Sequence, residues 1–278
     1  MGGGGAGPQG GGVQFALPPL TPVTKRLMIL NTVIFLVSWV LYIAAEGVQR
    51  GLYDVLALDP EQWRNWFPFV PLWQLVTHGF LHSTVHLTHI LWNMVQLYFF
   101  GTMLEAAIGS RRFLVFYMVA LVCGGLLHLF VELATGSPVP VYGASGACLG
   151  VVVAMATMRP RARVFVFFIP VSLWLLAGVI VAIDFMSGVA QLSKGGSDGI
   201  AHWVHLGGAL WGFLAVRLGW IQIDWLERLR ARRAVAEEQG RREDDLKMDG
   251  ILGKIHREGM SSLTKAERTF LKRVSGRK

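Results

Sequence analysis

The chain has 278 residues, 53% of them hydrophobic and only 16% charged, where soluble domains carry about 25% charge. With ten Trp and sixteen Phe, this composition excludes an ordinary water-soluble domain and points to lipid as the main solvent. The net charge of +8 gathers at chain ends and in short loops, which argues against a nucleic-acid surface, and two cysteines in apolar runs, Cys123 and Cys148, imply no disulfide framework.

Residues 1–24 are rich in Gly and Pro and are expected to be disordered. The Met-Gly start has Ala6 where myristoylation needs Ser or Thr. Apolar runs follow near 27–45, 87–104, 113–134, 143–158, 164–185 and 200–218. A helix of about 20 residues crosses the hydrocarbon, so the expectation is an all-α, polytopic bundle of six membrane spans over residues 25–220. The first run is too long for a cleaved signal peptide and lacks a small-residue cleavage site, so it reads as a retained span. The second carries His89, Asn93 and Gln96, and the fourth is short. Between the first two lies a segment, 46–86, dense in Trp63, Trp66, Phe67, Phe69 and Trp73, which suits a membrane interface.

The basic residues set an orientation. Lys25, Arg26, Arg111, Arg112, Arg159, Arg161, Arg163 and the tail fall on one side; Arg50, Arg64 and Lys194 fall on the other. The positive-inside rule then makes both termini cytoplasmic, and a bacterial inner membrane is the expected home. Residues 221–278 read as a basic cytosolic helical tail, from Leu226, Leu229 and the stretch Arg230 to Arg242. Within it 248–278 reads as a helical hairpin, with a capping box at Thr264–Glu267 ahead of Phe270 and Leu271.

The chemistry centres on Gly143-Ala144-Ser145-Gly146, after the turn-rich loop 136–140. Ser145 falls where the fourth span begins. The first turn of a helix leaves N–H groups unpaired beside a positive dipole end, a favourable place for an oxyanion. The sixth span offers His205, Gly208 and Gly212, which share one helix face. The fourth offers Gly146 and Gly150. Small residues at such spacing let membrane helices touch, which would bring the imidazole of His205 to the Ser145 hydroxyl. A serine needs a base to act as a nucleophile, and histidine is the usual one. The pair works without a carboxylate provided packing fixes the imidazole. His89 and Asn93, four residues apart on one face, are hydrogen-bond donors suited to a developing oxyanion. His78, His82 and His86 precede the second span and read as structural or water-organising. His202, one turn before His205, reads as tuning the site or meeting solvent. His128, Glu132 and Asp184 read as snorkelling from span ends.

These residues resemble the rhomboid family of intramembrane serine proteases. His89-Ile-Leu-Trp-Asn93 is similar to its second-span HxxxN, and Glu105 with Gly109-Ser110 to its ExxxGS turn. Gly143-Ala-Ser145-Gly146 is similar to its GxSG, and His205-Leu-Gly-Gly208-Ala-Leu-Trp-Gly212 to its HxxGxxxG. The resemblance covers about residues 25–220. It implies that Ser145 forms an acyl-enzyme, that His205 is general base and then acid, and that His89, Asn93 and the Ser145 backbone N–H hold the oxyanion. It implies transmembrane protein substrates, cut near their non-cytoplasmic end within the lipid bilayer, with no metal or cofactor. The chain departs from the family at Leu149, where an aromatic residue often stacks on the histidine, and at Trp73-Gln74, where Trp-Arg is frequent. The tail stretches Ile251–Ile255 and Ser262–Thr264 resemble an appendage of some bacterial members.

Two other readings compete. Eight histidines, several at four-residue spacing, suit a metal or haem membrane protein, which leaves the glycine faces without a chemical purpose. A non-catalytic relative that binds client helices would typically have lost Ser145 or His205; both are present.

Overall fold

A computed structural model describes residues 19–136, 138–166, 169–194, 199–222 and 225–275. The chain divides into two compact units, Met1–Gln222 and Ile223–Lys278. Residues 1–18, most of the stretch expected to be disordered, lie outside the described residues.

The first unit opens with α1 (Pro22–Ala44), whose proline sits at the first helical turn, where no N–H is needed. Its free N-terminal amides are capped from a distance. The Val23 and Thr24 N–H groups and the Thr21 and Thr24 hydroxyls all donate to the Glu105 carboxylate. Next come α2 (Glu46–Leu56) and α3 (Pro60–Asn65), the latter capped by Asp59, whose carboxylate accepts from the Glu61 N–H at 2.8 Å. The aromatic segment is pinned rather than loose. Trp63 donates to the Gln74 side chain at 3.1 Å and Trp73 to the Val55 carbonyl at 2.9 Å, while Phe67 and Phe69 stay exposed.

A short α4 (Gln74–Thr77) and a 3-10 turn (His78–Phe80) lead to α5 (Leu87–Gln96). The helix runs through a π turn (Leu97–Gly101) into α6 (Thr102–Ile108). Gly109, with φ +86°, breaks it before α7 (Ser110–Thr135). Then follow α8 (Ser145–Met158), a two-stranded antiparallel hairpin of β1 (Arg163–Val166) and β2 (Ile169–Ser172), α9 (Leu173–Lys194) and α10 (His202–Arg217).

Two expectations meet the structure here. Among the described residues, three helices are long and apolar enough to cross a membrane: α1, α7 and α9. The other three apolar runs form α8 and α10, of 14 and 16 residues, and α5, whose 10 residues continue through the π turn into α6. The reason is clear at α8, where every residue from Gly146 to Ala156 is buried. A helix of 14 residues reaches only about 21 Å, but one enclosed by protein has no lipid thickness to match. The hairpin is a correction: it replaces the start of the run read as the fifth span. Pro170, which lacks an N–H, sits in β2 opposite Phe165 and bars a helix until Leu173.

The core packs Phe113, Phe116, Tyr117 and Leu121 of α7 against the small and branched residues of α8. The outward faces of α1 (Ile29, Val33, Val37, Val40) and α9 (Val179, Ile183, Met186) are exposed and apolar, as lipid contact requires.

The second unit contains α11 (Trp225–Glu258), a 3-10 turn (Met260–Ser262) and α12 (Lys265–Ser275). Ile251, Leu263 and Phe270 form its small core. The capping box is present: the Thr264 N–H donates to Glu267 at 2.7 Å, and the Glu267 N–H to the Thr264 hydroxyl at 3.3 Å. The side chains of Leu226, Leu229 and Arg230 lie outside the described residues. Arg242 pairs with Glu238 at 2.7 Å on an exposed face.

Candidate active site

Ser145 is the first residue of α8, delivered by a loop held at several points. Leu58 and Val141 exchange backbone hydrogen bonds of 3.0 and 2.9 Å, and the Gly143 N–H donates to the His78 carbonyl at 2.9 Å. His128 donates from Nε2 to the Val139 carbonyl at 2.9 Å, and the Val139 N–H donates to Glu132 at 3.4 Å. Both side chains are buried, so they brace this loop and do not snorkel. Gly143 has φ +140°, a region open to glycine.

His205 arrives on α10. The seam between α8 and α10 is made of glycine, as the spacing of Gly146, Gly150, Gly208 and Gly212 suggests. A Cβ on Gly150 would stand 2.7 Å from the Gly208 carbonyl oxygen, and one on Gly146 2.8 Å from that of Val204. A Cβ on Gly208 would run into the Gly146 carbonyl, and one on Gly212 into that of Gly150. A second seam, outside the residues singled out from sequence, joins α10 to α7. There Gly124 faces the Val204 carbonyl and Gly207 the Cys123 carbonyl.

The two seams bring the predicted pair together: His205 Nε2 lies 2.7 Å from Ser145 Oγ. The other ring nitrogen, Nδ1, is 2.9 Å from Oδ1 of Asp184 on α9. The same oxygen is 2.7 Å from His202 Nδ1. A carboxylate only accepts hydrogen bonds, so both histidines carry their proton on Nδ1. His205 Nε2 therefore presents a lone pair to the serine hydroxyl, the tautomer a general base requires. The snorkelling reading of Asp184 is corrected: it is buried and turned into the protein. His202 is buried too. The missed signal was an ionisable residue inside an apolar run, with Gly188 one turn later. A Cβ on Gly188 would lie 3.2 Å from the Trp203 ring and 3.5 Å from the His202 Cβ, so this glycine lets α9 close on α10.

His89 and Asn93 of α5 line the same cavity as Ser145 and His205, a space of about 940 Å³ that also touches Trp92 and Glu132. His89 Nε2 faces Gly143, where an added Cβ would sit 2.6 Å from it and 3.7 Å from Ser145 Oγ. The Ser83 N–H makes a long 3.5 Å hydrogen bond to His89 Nδ1, which puts the proton on Nε2, towards the serine. Asn93 is buried, with its side-chain nitrogen 3.1 Å from His82 Nε2. His82 thus sits directly behind the Asn93 amide, its ring centroid 5.2 Å from that of His89. His78 and His82, in the connection ahead of α5, are driven to pKa values of about 4 and about 3, chiefly by burial. They are neutral scaffold.

Asp184, His202 and His205 also place one potential metal-ligand atom each within 4.8 Å of one another. Tetrahedral zinc ligands at bond lengths near 2.0–2.1 Å stand roughly 3.3 Å apart. The N···O separations of 2.7 and 2.9 Å are those of hydrogen bonds.

Residues 71–222 match the Rhomboid domain, and residues 238–277 match a Family of unknown function (DUF6576). The chain is 31% identical over 180 residues to the "Presenilin-associated rhomboid-like protein, mitochondrial" of Rattus norvegicus, covering 64% of this chain and 47% of that protein. It is 28% identical over 205 residues to "Rhomboid protein 1, mitochondrial" of Saccharomyces cerevisiae, covering 69% and 56%. With "RHOMBOID-like protein 12, mitochondrial" of Arabidopsis thaliana it shares 31% identity over 150 residues, 49% of this chain and 43% of that protein. The chain thus spans about half the length of the curated relatives it matches. Their names overturn one expectation. They are mitochondrial proteins of eukaryotes, which gives a bacterial inner membrane with cytoplasmic termini no support; a multi-pass membrane protein is what these matches and the apolar helices sustain.

Proposed function

Because the chain belongs to the rhomboid family, we propose that it is an intramembrane serine endopeptidase acting on transmembrane protein substrates through Ser145 and His205. The observation that carries this reading is the 2.7 Å contact between His205 Nε2 and Ser145 Oγ, with the imidazole in its basic tautomer.

In the proposed reaction Ser145 Oγ attacks the carbonyl carbon of the scissile peptide while His205 Nε2 takes its proton. The tetrahedral oxyanion is met by the Ser145 N–H at the start of α8 and by the His89 Nε2–H, with Asn93 beside it. Collapse breaks the C–N bond, His205 returns its proton to the leaving amine, and an acyl-enzyme remains. Water then adds to the ester with His205 as base, and the proton ends on Ser145 Oγ. Donors fixed in advance around the oxyanion contribute about 2.7–4 kcal/mol each to lowering the barrier. The cavity beside the serine supports this reading, since hydrolysis needs water at the site.

We read α5, α8 and α10 as the crossing segments that complete a six-helix domain over residues 25–220, with 221–278 as a separate helical tail. Ser145 lies at one end of α8, so the cut falls near the matching end of the substrate helix. Labelling with a fluorophosphonate probe tests the assignment. Wild type is expected to label, and Ser145→Ala and His205→Ala to lose labelling while keeping the melting profile. Equal labelling of all three removes the mechanism.

A further inference from the structure

We propose that Asp184 is a positioning residue for His205, so that the reactive unit is a Ser145–His205–Asp184 relay secured by a second histidine, His202. The inference rests on the protease reading of the same site and adds to it how the imidazole is held. The residue four positions after the serine is Leu149, an aliphatic side chain that offers no ring to stack on the base. The imidazole is held by a carboxylate on α9. Asp184 Oδ1 receives Nδ1–H from His205 at 2.9 Å and from His202 at 2.7 Å.

Two consequences follow from one oxygen taking both bonds. The first fixes the proton of His205 on Nδ1, so that Nε2 is always the acceptor for Ser145. The second pins the carboxylate itself, because His202 is three residues from His205 on the same helix and shares its face. Gly188, one turn beyond Asp184, leaves room for α10 at this level. The charge on Asp184 also stabilises the imidazolium that forms when Ser145 gives up its proton. Other titratable groups face His205 as well: His202 from its own helix and His89 from α5, with Ser145 from α8 as its acceptor-side partner.

The test uses the full chain in detergent micelles, labelled with 15N-histidine, comparing wild type with Asp184→Asn and Asp184→Glu. The His205 signals are assigned by their loss in His205→Gln. Wild type is expected to show Nδ1-protonated His205 with a titration midpoint at least one pH unit above that of Asp184→Asn. In cleavage, Asp184→Asn is expected to lower kcat at least tenfold with KM within threefold of wild type. Its acid limb moves to lower pH, because an imidazolium without its carboxylate loses its proton more easily. Asp184→Glu is expected to recover part of kcat and most of the pH profile. Unchanged midpoint and unchanged acid limb in Asp184→Asn overturn the proposal, and so does a loss of kcat that tracks only a lowered melting temperature. If Ser145→Ala cleaves like wild type, the protease reading fails instead, and the midpoint still decides whether Asp184 governs His205.

Discussion

Gly143 and His89 share a single volume: a side chain at position 143 would put a carbon 2.6 Å from the His89 ring nitrogen that faces the serine. We predict that Gly143→Ala cuts activity by at least 10²-fold. A φ of +140° costs an L-residue of order 1–3 kcal/mol, and the His89 donor is displaced. Cleavage rates together with circular dichroism check this. Normal helicity with lost activity is expected; full activity would remove His89 from the oxyanion's surroundings.

The α8–α10 seam gives a second prediction. In Gly208→Ala the new methyl meets the Gly146 backbone, which cannot swing aside like a side chain. Overpacking of this kind costs about 1–3 kcal/mol and separates His205 from Ser145. At Gly178, on α9, nothing lies within 4 Å of an added Cβ. Gly178→Ala is therefore expected to leave melting temperature and fluorophosphonate labelling near wild type, while Gly208→Ala lowers both. A result in which the two variants behave alike would contradict glycine-mediated contact.

Glu105 supports a third. Its two oxygens accept from Thr21, Val23, Thr24 and Ser110, and the side chain is buried. Glu105→Gln replaces one acceptor oxygen with an NH₂ group facing donors. Leaving buried groups unpaired costs about 1–3 kcal/mol each. The expected result is a clear drop in melting temperature, with protease sensitivity appearing first around residues 19–25. Melting within a degree of wild type would show that α1 is held by other means.

Stability is expected to fall in acid before activity is considered. His78 and His82 have folded-state pKa values of about 4 and about 3, below the ordinary 6.5. The unfolded chain therefore binds these protons first. Their contribution is complete above pH ~6.5 and declines as pH falls towards those lower values. At pH 5 each costs about 2 kcal/mol. Melting scans at pH 7.5 and pH 5 should show the decline, and His78→Gln should make it shallower. An unaltered slope in that variant would mean that His78 titrates normally.

Much of this arrangement was legible in the sequence. Four glycines at helical spacing beside a serine and a histidine were enough to foresee which helices touch and which side chains meet. What escaped notice depends on the third dimension. Asp184 stands 21 residues from His205, on a helix whose rotation no periodicity of its own fixes, since α9 is apolar nearly all round. Length and composition alone do not give the span count, for a related reason. An apolar run does not say whether lipid or protein surrounds it, and α8 is sheathed by protein. The hairpin at 163–172 was readable from Pro170, but its β-branched and aromatic neighbours look equally like a span.

The π turn at Leu97–Gly101 lets one continuous rod serve two directions. Each added residue turns everything beyond it by about 100°, and a π turn holds more residues than an α turn. Upstream, His89 and Asn93 line the cavity at Ser145; downstream, Glu105 accepts hydrogen bonds from the start of α1. Removing one residue from this turn would satisfy the helix and mis-aim one of its ends. The widened coil thus works as a phase adjuster, letting the cavity wall beside Ser145 and the clamp on the first helix be built from a single piece of chain.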